Sequence, residues 1–218
     1  MSRDVVADLE SKLRTTGHDV WGWVVYRCTY SSDLDWSAFM KALEATTKDD
    51  LEFYGASEAI AKQHVWTVID DRERLEHANK ADVRKMFNDW VHSPEATAEQ
   101  PDAKTPVYEV PMARYRYCMH VDEGALRSVL DDSRDWHVNI INRDWIPEEE
   151  EVEYGDSEDD EILNQARESE TWPEIEGCTE EDVGWVQASQ GILVEDYVSL
   201  CNSNFWYAYY TRPPQRAR

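Results

Sequence analysis

A chain of 218 residues with 41% hydrophobic positions, including ten Trp and eleven Tyr, lies at the upper end of the single-domain range and can bury a substantial, largely aromatic core. Its 46 Asp and Glu against 22 Lys and Arg give a net charge of −24, a field that repels phosphate backbones and attracts cations, so sequence-blind nucleic-acid binding is disfavoured. No apolar stretch approaches the ~20 residues that span a bilayer, which excludes a membrane-spanning helix.

The opening MSRDVVADLESKLRTT mixes charges with isolated apolar residues and has no cleavage site, so it does not read as a signal peptide. With Cys28, Cys118, Cys178 and Cys201 far apart and no CxxC, a cytoplasmic protein with four reduced thiols is expected. Trp21 to Tyr30 is a β-branched and aromatic run of strand length. Asp33 then reads as the cap of a helix on which Trp36, Phe39, Met40 and Leu43 fall at i, i+3, i+4 and i+7. Residues 48–62 read as a weaker helix and 64–70 as a strand. Val83, Met86, Phe87 and Trp90 predict another helix, stopped by Ser93-Pro94, with a loop to Pro106. Arg114 to Val121 alternates as a half-buried strand does, Asp122 caps a short helix, and 136–141 gives the next strand.

Ten acids crowd Glu148 to Glu161, a composition too charged to pack, which predicts a mobile acidic loop over 148–170 within a single domain, 1–218. Thr179-Glu-Glu-Asp182 has the form of a capping box and predicts a helix start. A further helix over 193–201 and an aromatic strand from Phe205 to Thr211 precede the basic tail RPPQRAR. Two strand–helix–strand units favour an α+β fold: an open, mainly antiparallel sheet backed by helices on one face, near to ferredoxin-like.

GxGxxG, GxxxxGK[ST], HExxH and GxSxG are all absent, so the usual dinucleotide, P-loop, zincin and hydrolase readings have no footing. Cys118 and His120 share one side of their expected strand, yet i and i+2 neighbours lie roughly 6.5–7 Å apart, beyond the contact that cysteine–histidine catalysis needs. A structural Cys118 and a capping Asp122 are the plainer reading, with His120 a candidate base. Arg114-Tyr115-Arg116-Tyr117 interleaves cations and aromatics as single-strand binders do; a sheet face of Arg–carboxylate pairs is the alternative. Glu174, Glu176, Glu180, Glu181 and Asp182 surround Gly177-Cys178 just before Trp185. Acids there suit a helix N-terminus, or an acidic pocket with an aromatic wall for a guanidinium or ammonium group.

The strings VVYRCTYSSDLDWSAFMKALE, ARYRYCMHVDEGALRSVL, VNIINRDW, IEGCTEEDVGW and YYTRPP together resemble a large group of filamentous-fungal proteins, most without assigned function. The characterised branch of that neighbourhood is the arginine-containing cyclodipeptide synthases, although this chain lacks their DDxxE string. The resemblance implies an enzyme of secondary metabolism that takes arginyl-tRNA and a second aminoacyl-tRNA to a cyclic dipeptide. No cofactor is implied, because an aminoacyl ester is already activated and ring closure needs positioning and proton removal. His120, Asp122 and Asp144 are then the candidate catalytic groups. Arg114, Arg116 and Tyr117 would face tRNA, with Glu180, Glu181, Asp182 and Trp185 around the arginyl side chain. The competing expectation is a non-catalytic acidic protein that binds a basic protein or a small cation.

Overall fold

Asp4 opens the first helix, α1 (Val5–Thr16), by accepting from the Ala7 amide, and Gly17 closes it in the left-handed conformation, φ 75°. The structure, a computed structural model, describes residues 4–131, 136–147, 172–202 and 204–217. The acidic segment expected to be mobile, 148–170, lies outside the described residues. Strand β1 (Val24–Arg27) is shorter than the aromatic run around it, because Gly22, at φ 111°, breaks the ladder between the Trp21–His64 bridge and Val24.

Helix α2 (Asp33–Phe53) follows, and Ser32 caps it rather than Asp33, accepting from the Asp35 amide. Asp33 is thereby the first helical residue, and its carboxylate is turned towards Arg27. After α3 (Glu58–Lys62), β2 (Thr67–Ile69) and α4 (Arg72–Leu75) comes α5 (Lys80–Val91), the helix its apolar period predicts. The expected loop at 94–106 instead begins with α6 (Pro94–Ala98). Ser93 caps it, and Pro94 sits at the first turn, where its missing N–H would be unpaired anyway.

The expected strand 114–121 is divided: α7 (Ala113–Arg116) makes one helical turn before β3 (Tyr117–Val121). Asp122 caps α8 (Glu123–Leu130) as expected, and β4 (Val138–Asn142) comes next. The expected helix at 179 does not form. Its carbonyls are taken from outside, Glu181 by the Tyr210 hydroxyl and Glu180 by the Arg212 guanidinium, and the chain enters β5 (Trp185–Ala188). Helix α9 (Glu195–Leu200) matches its expectation. The predicted strand 205–211 is a helix, α10 (Phe205–Tyr209), whose i, i+3 pairing buries Trp206 and Tyr209 together. A two-residue β6 (Arg216–Ala217) ends the sheet.

The strand order is β2-β1-β3-β4-β5-β6. Pairings β2–β1, β1–β3 and β5–β6 are parallel, and β3–β4 and β4–β5 antiparallel, so the α+β class and the open sheet are as expected. Helices cover both faces, where the sequence reading placed them on one. Tyr26 on one face meets Phe87 of α5, while Arg27 on the other meets Asp33 and Trp36 of α2. The reason is topological. The β1-to-β2 and β2-to-β3 connections step in opposite directions, and right-handed crossovers then place their helices on opposite faces. No helix among the described residues is long and apolar enough to cross a membrane. None of the four cysteines is in a disulfide, and Cys28, Cys118 and Cys201 are buried.

Two enclosed histidines give the fold an acid-sensitive point. Burial, helped by the Arg114 charge, pulls His18 and His64 from the ordinary 6.5 to about 4. The unfolded chain takes up protons below pH 6.5 that the folded state refuses, so stability is lost as pH falls from about 6.5 towards 4. The slope reaches at most about 1.4 kcal/mol per pH unit for each histidine. Urea denaturation of the wild type and His64→Phe across this window tests it, and an unchanged slope in the variant would refute the assignment.

Candidate functional site

Parallel strands put their ligand crevices outside their carboxyl ends. At that end of β1 and β3, on the face under α5, five elements bring together a polar cluster. His120, near the end of β3, is buried, and its Nε2 lies 2.9 Å from the Ala78 carbonyl. Nε2 therefore carries the proton, which leaves Nδ1 as an acceptor facing Asn139 Nδ2 at 3.5 Å and Asp122 at 3.9 Å. Burial holds the ring's pKa below its ordinary value. Asp122 caps α8 through the Ala125 amide, and its other oxygen accepts from Asn139 at 3.0 Å and from Lys80 at 3.4 Å.

Lys80, the first residue of α5, is the pivot. Its ammonium lies 2.6 Å from Glu176 and 4.4 Å from the centre of the Trp185 ring. Glu176 and Gly177 both have positive φ, 51° and 88°, at the tip of the Ile175–Cys178 bridge. The left-handed backbone is costly for a glutamate. It is offset here by two contacts to Lys80, one to the ammonium and one of 3.3 Å to the backbone amide at the head of α5.

Across the sheet a second cluster stands at the same end. Arg27 is enclosed between Asp33 and Asp70 and lies against the rings of Tyr30, 4.4 Å, and Trp36, 5.0 Å. Beside it Glu123 accepts from Thr29, Ser31 and Arg127, and these donors hold its carboxyl well below the usual range, at about 2. Arg127 also pairs with Asp35. Among the described residues no group of three or more His, Cys, Asp or Glu is arranged to hold a metal ion.

Of the residues singled out from the sequence, the structure joins His120, Asp122, Glu176 and Trp185 and separates the rest. Asp144 follows β4, which runs against β3, so it lies at the opposite end of the sheet, roughly 15 Å away along the strand. There it binds Arg116 and Arg143. Arg114 is fully buried and bound to Glu99, Thr67 and the carbonyls of Gly22 and Val65. Tyr117 is buried against Trp206, with ring centres 5.4 Å apart. Asp182 accepts from Gly184 and from the Trp206 indole.

The acidic stretch 174–182 does hold cations, but they are the chain's own. Glu180 and Glu181 give their carbonyls to Arg212, and Glu176 with Trp185 takes the Lys80 ammonium. Lys80 and Asn139 were not foreseen as parts of a site. Lys80 could be found only as a helix-heading lysine, and Asn139 only as an isolated polar residue in an apolar strand, signals too common to single them out.

Searches against protein-family models, curated proteins and solved structures each find no match for this chain.

Proposed function

We propose that this protein is a non-catalytic acidic binding module that receives a basic partner at the carboxyl ends of β2, β1 and β3. The observation that carries the reading is a charge mismatch at that end. Four cations, Arg27, Arg72, Lys80 and Arg127, are matched by seven carboxylates, Asp33, Asp70, Glu76, Asp122, Glu176, Glu123 and Asp35. The cations at the centre are enclosed, with side-chain exposures of 6% for Arg27 and 11% for Lys80, whereas Asp33 is 90% and Asp70 45% exposed. Carboxylates that project to solvent over buried counter-ions keep an excess negative field where a ligand arrives, and the −24 of the whole chain extends it. His120 fits the same reading: a ring with 1% exposure and both nitrogens directed at neighbours in the fold has no path to a substrate.

An arginine-rich peptide titrated into the protein is expected to bind with an affinity that falls steeply with salt. Asp33→Asn with Asp70→Asn, which keeps acceptor oxygens for Arg27, should weaken binding by about tenfold and flatten the salt dependence. Calorimetry at two ionic strengths reads both. The competing expectation, a tRNA-dependent cyclodipeptide synthase, would displace this proposal if folded protein given arginyl-tRNA and other charged tRNAs released a cyclic dipeptide containing arginine.

A further inference from the structure

The outer strand of the sheet, β2, is paired on one side only, to β1. The Val65 and Thr67 amides donate inwards, to the Trp21 and Trp23 carbonyls, so the alternation of an extended chain turns the backbone N–H and C=O of Trp66 and Val68 outwards. Among the described residues nothing hydrogen-bonds to those outward groups. Such a row of backbone donors and acceptors is a template for a further strand, and proteins normally guard it.

The side chains along this edge are sorted by face. Val68 is in register with Val25, and Asp70, two residues on, reaches Arg27 at 3.2 Å, so Trp66, Val68 and Asp70 stand in line on the face that carries α2. Val68 is 36% exposed and Trp66 half-buried, which gives the middle of the edge an apolar wall. Its carboxyl end is acidic. Asp33 and Asp70 share the single cation Arg27, and residues 70–76 carry four acids against two cations. A second copy of this chain would bring another −24 to the edge and be repelled, whereas a cationic segment is attracted.

We infer, resting on the basic partner proposed above, that this partner binds as an extended segment added to β2, with a cation opposite Asp70 and apolar residues opposite Val68 and Trp66. Antiparallel addition is the more stable per residue, and it makes the residues facing Trp66 and Val68 hydrogen-bonded pairs. Main-chain bonds then supply affinity, and the side chains set opposite Val68 and Asp70 supply selectivity.

The 218-residue chain is titrated with the peptide acetyl-Arg-Arg-Thr-Val-Thr-Val-amide and followed by calorimetry and amide NMR. Binding should shift residues 66–70 and slow hydrogen exchange at the Val68 amide. N-methylation of both valines keeps the charge and removes the donors aimed at β2, and it should weaken binding by about tenfold or more. Citrulline in place of both arginines, similar in shape but uncharged, should weaken it by about tenfold as well. Val68→Pro deletes an outward donor at a place where an edge strand tolerates proline, and a comparable loss is expected, with folding checked by the same spectra. Salt-dependent binding that N-methylation leaves unchanged would overturn strand addition and leave the charged rim standing. No binding by this peptide or by an arginine-rich one would remove both readings. Dimers of the chain that Val68→Pro dissociates would assign the edge to a second copy and overturn the inference.

Discussion

Arg114→Ala is expected to cost about 3–5 kcal/mol of folding stability, the usual penalty for removing one member of a buried ion pair. The guanidinium is wholly enclosed and grips Glu99 with both arms, at 3.0 and 2.8 Å. Its remaining N–H groups hold the Gly22 and Val65 carbonyls and the Thr67 hydroxyl, which ties the entries of β1 and β2 to α7. Deleting it leaves the partly buried Glu99 carboxylate without its counter-ion, with only the Tyr115 and Thr67 hydroxyls donating to it, and takes the guanidinium donors from two backbone carbonyls. Adding Glu99→Leu to Arg114→Ala should recover part of the loss, because the orphaned charge goes too. Urea denaturation of both variants measures the pair. A loss below about 1 kcal/mol would show that Arg114 is not the pivot of this corner and would reopen its reading as a phosphate contact.

Asp182→Ala is the second large effect, expected near 3 kcal/mol because hydrogen bonds to a charged group contribute about 1.5–3 kcal/mol each. The carboxylate accepts from the Gly184 amide at 2.7 Å and from the Trp206 indole at 2.9 Å. Gly184 is fixed by its own constraint: φ is 73°, and a Cβ would run into Arg84 and Trp145. The turn into β5 therefore relies on Asp182 at one end and a glycine at the other. Trp206 in turn stacks on Tyr117, so its fluorescence should change with the variant. If Asp182 served a ligand guanidinium instead, stability would hold and only ligand affinity would fall. Thermal unfolding followed by tryptophan fluorescence separates the two outcomes.

Much of the fold was legible because it is written in local signals. The period of Trp36, Phe39 and Leu43 marked α2, that of Val83 and Phe87 marked α5, and Asp122 announced the start of α8. The misread elements fail for physical reasons that no window of sequence contains. Phe205 to Tyr209 has the composition of a strand, yet its rings have a place only as a helix, with Trp206 against Tyr117. Thr179 to Asp182 has the letters of a capping box, but Tyr210 and Arg212 take its carbonyls first. Ser93-Pro94 reads equally as a stop and as a start, and the structure uses it as a start.

The functional residues divide the same way. Composition by itself determined the strong negative field and the exclusion of the familiar motif chemistries, because both are properties of residue types. Which charges are spent was decided only by tertiary structure. Arg114 and Arg116 are two apart in sequence, yet one is sealed inside and the other joins Asp144 near the surface, since α7 turns between them. Lys80, Asp122 and Glu176 are far apart along the chain, and the β2-to-β3 crossover with the turn at Gly177 brings them together. Whether a carboxylate faces a partner or a neighbour depends on long-range packing, which the sequence encodes only through the whole fold.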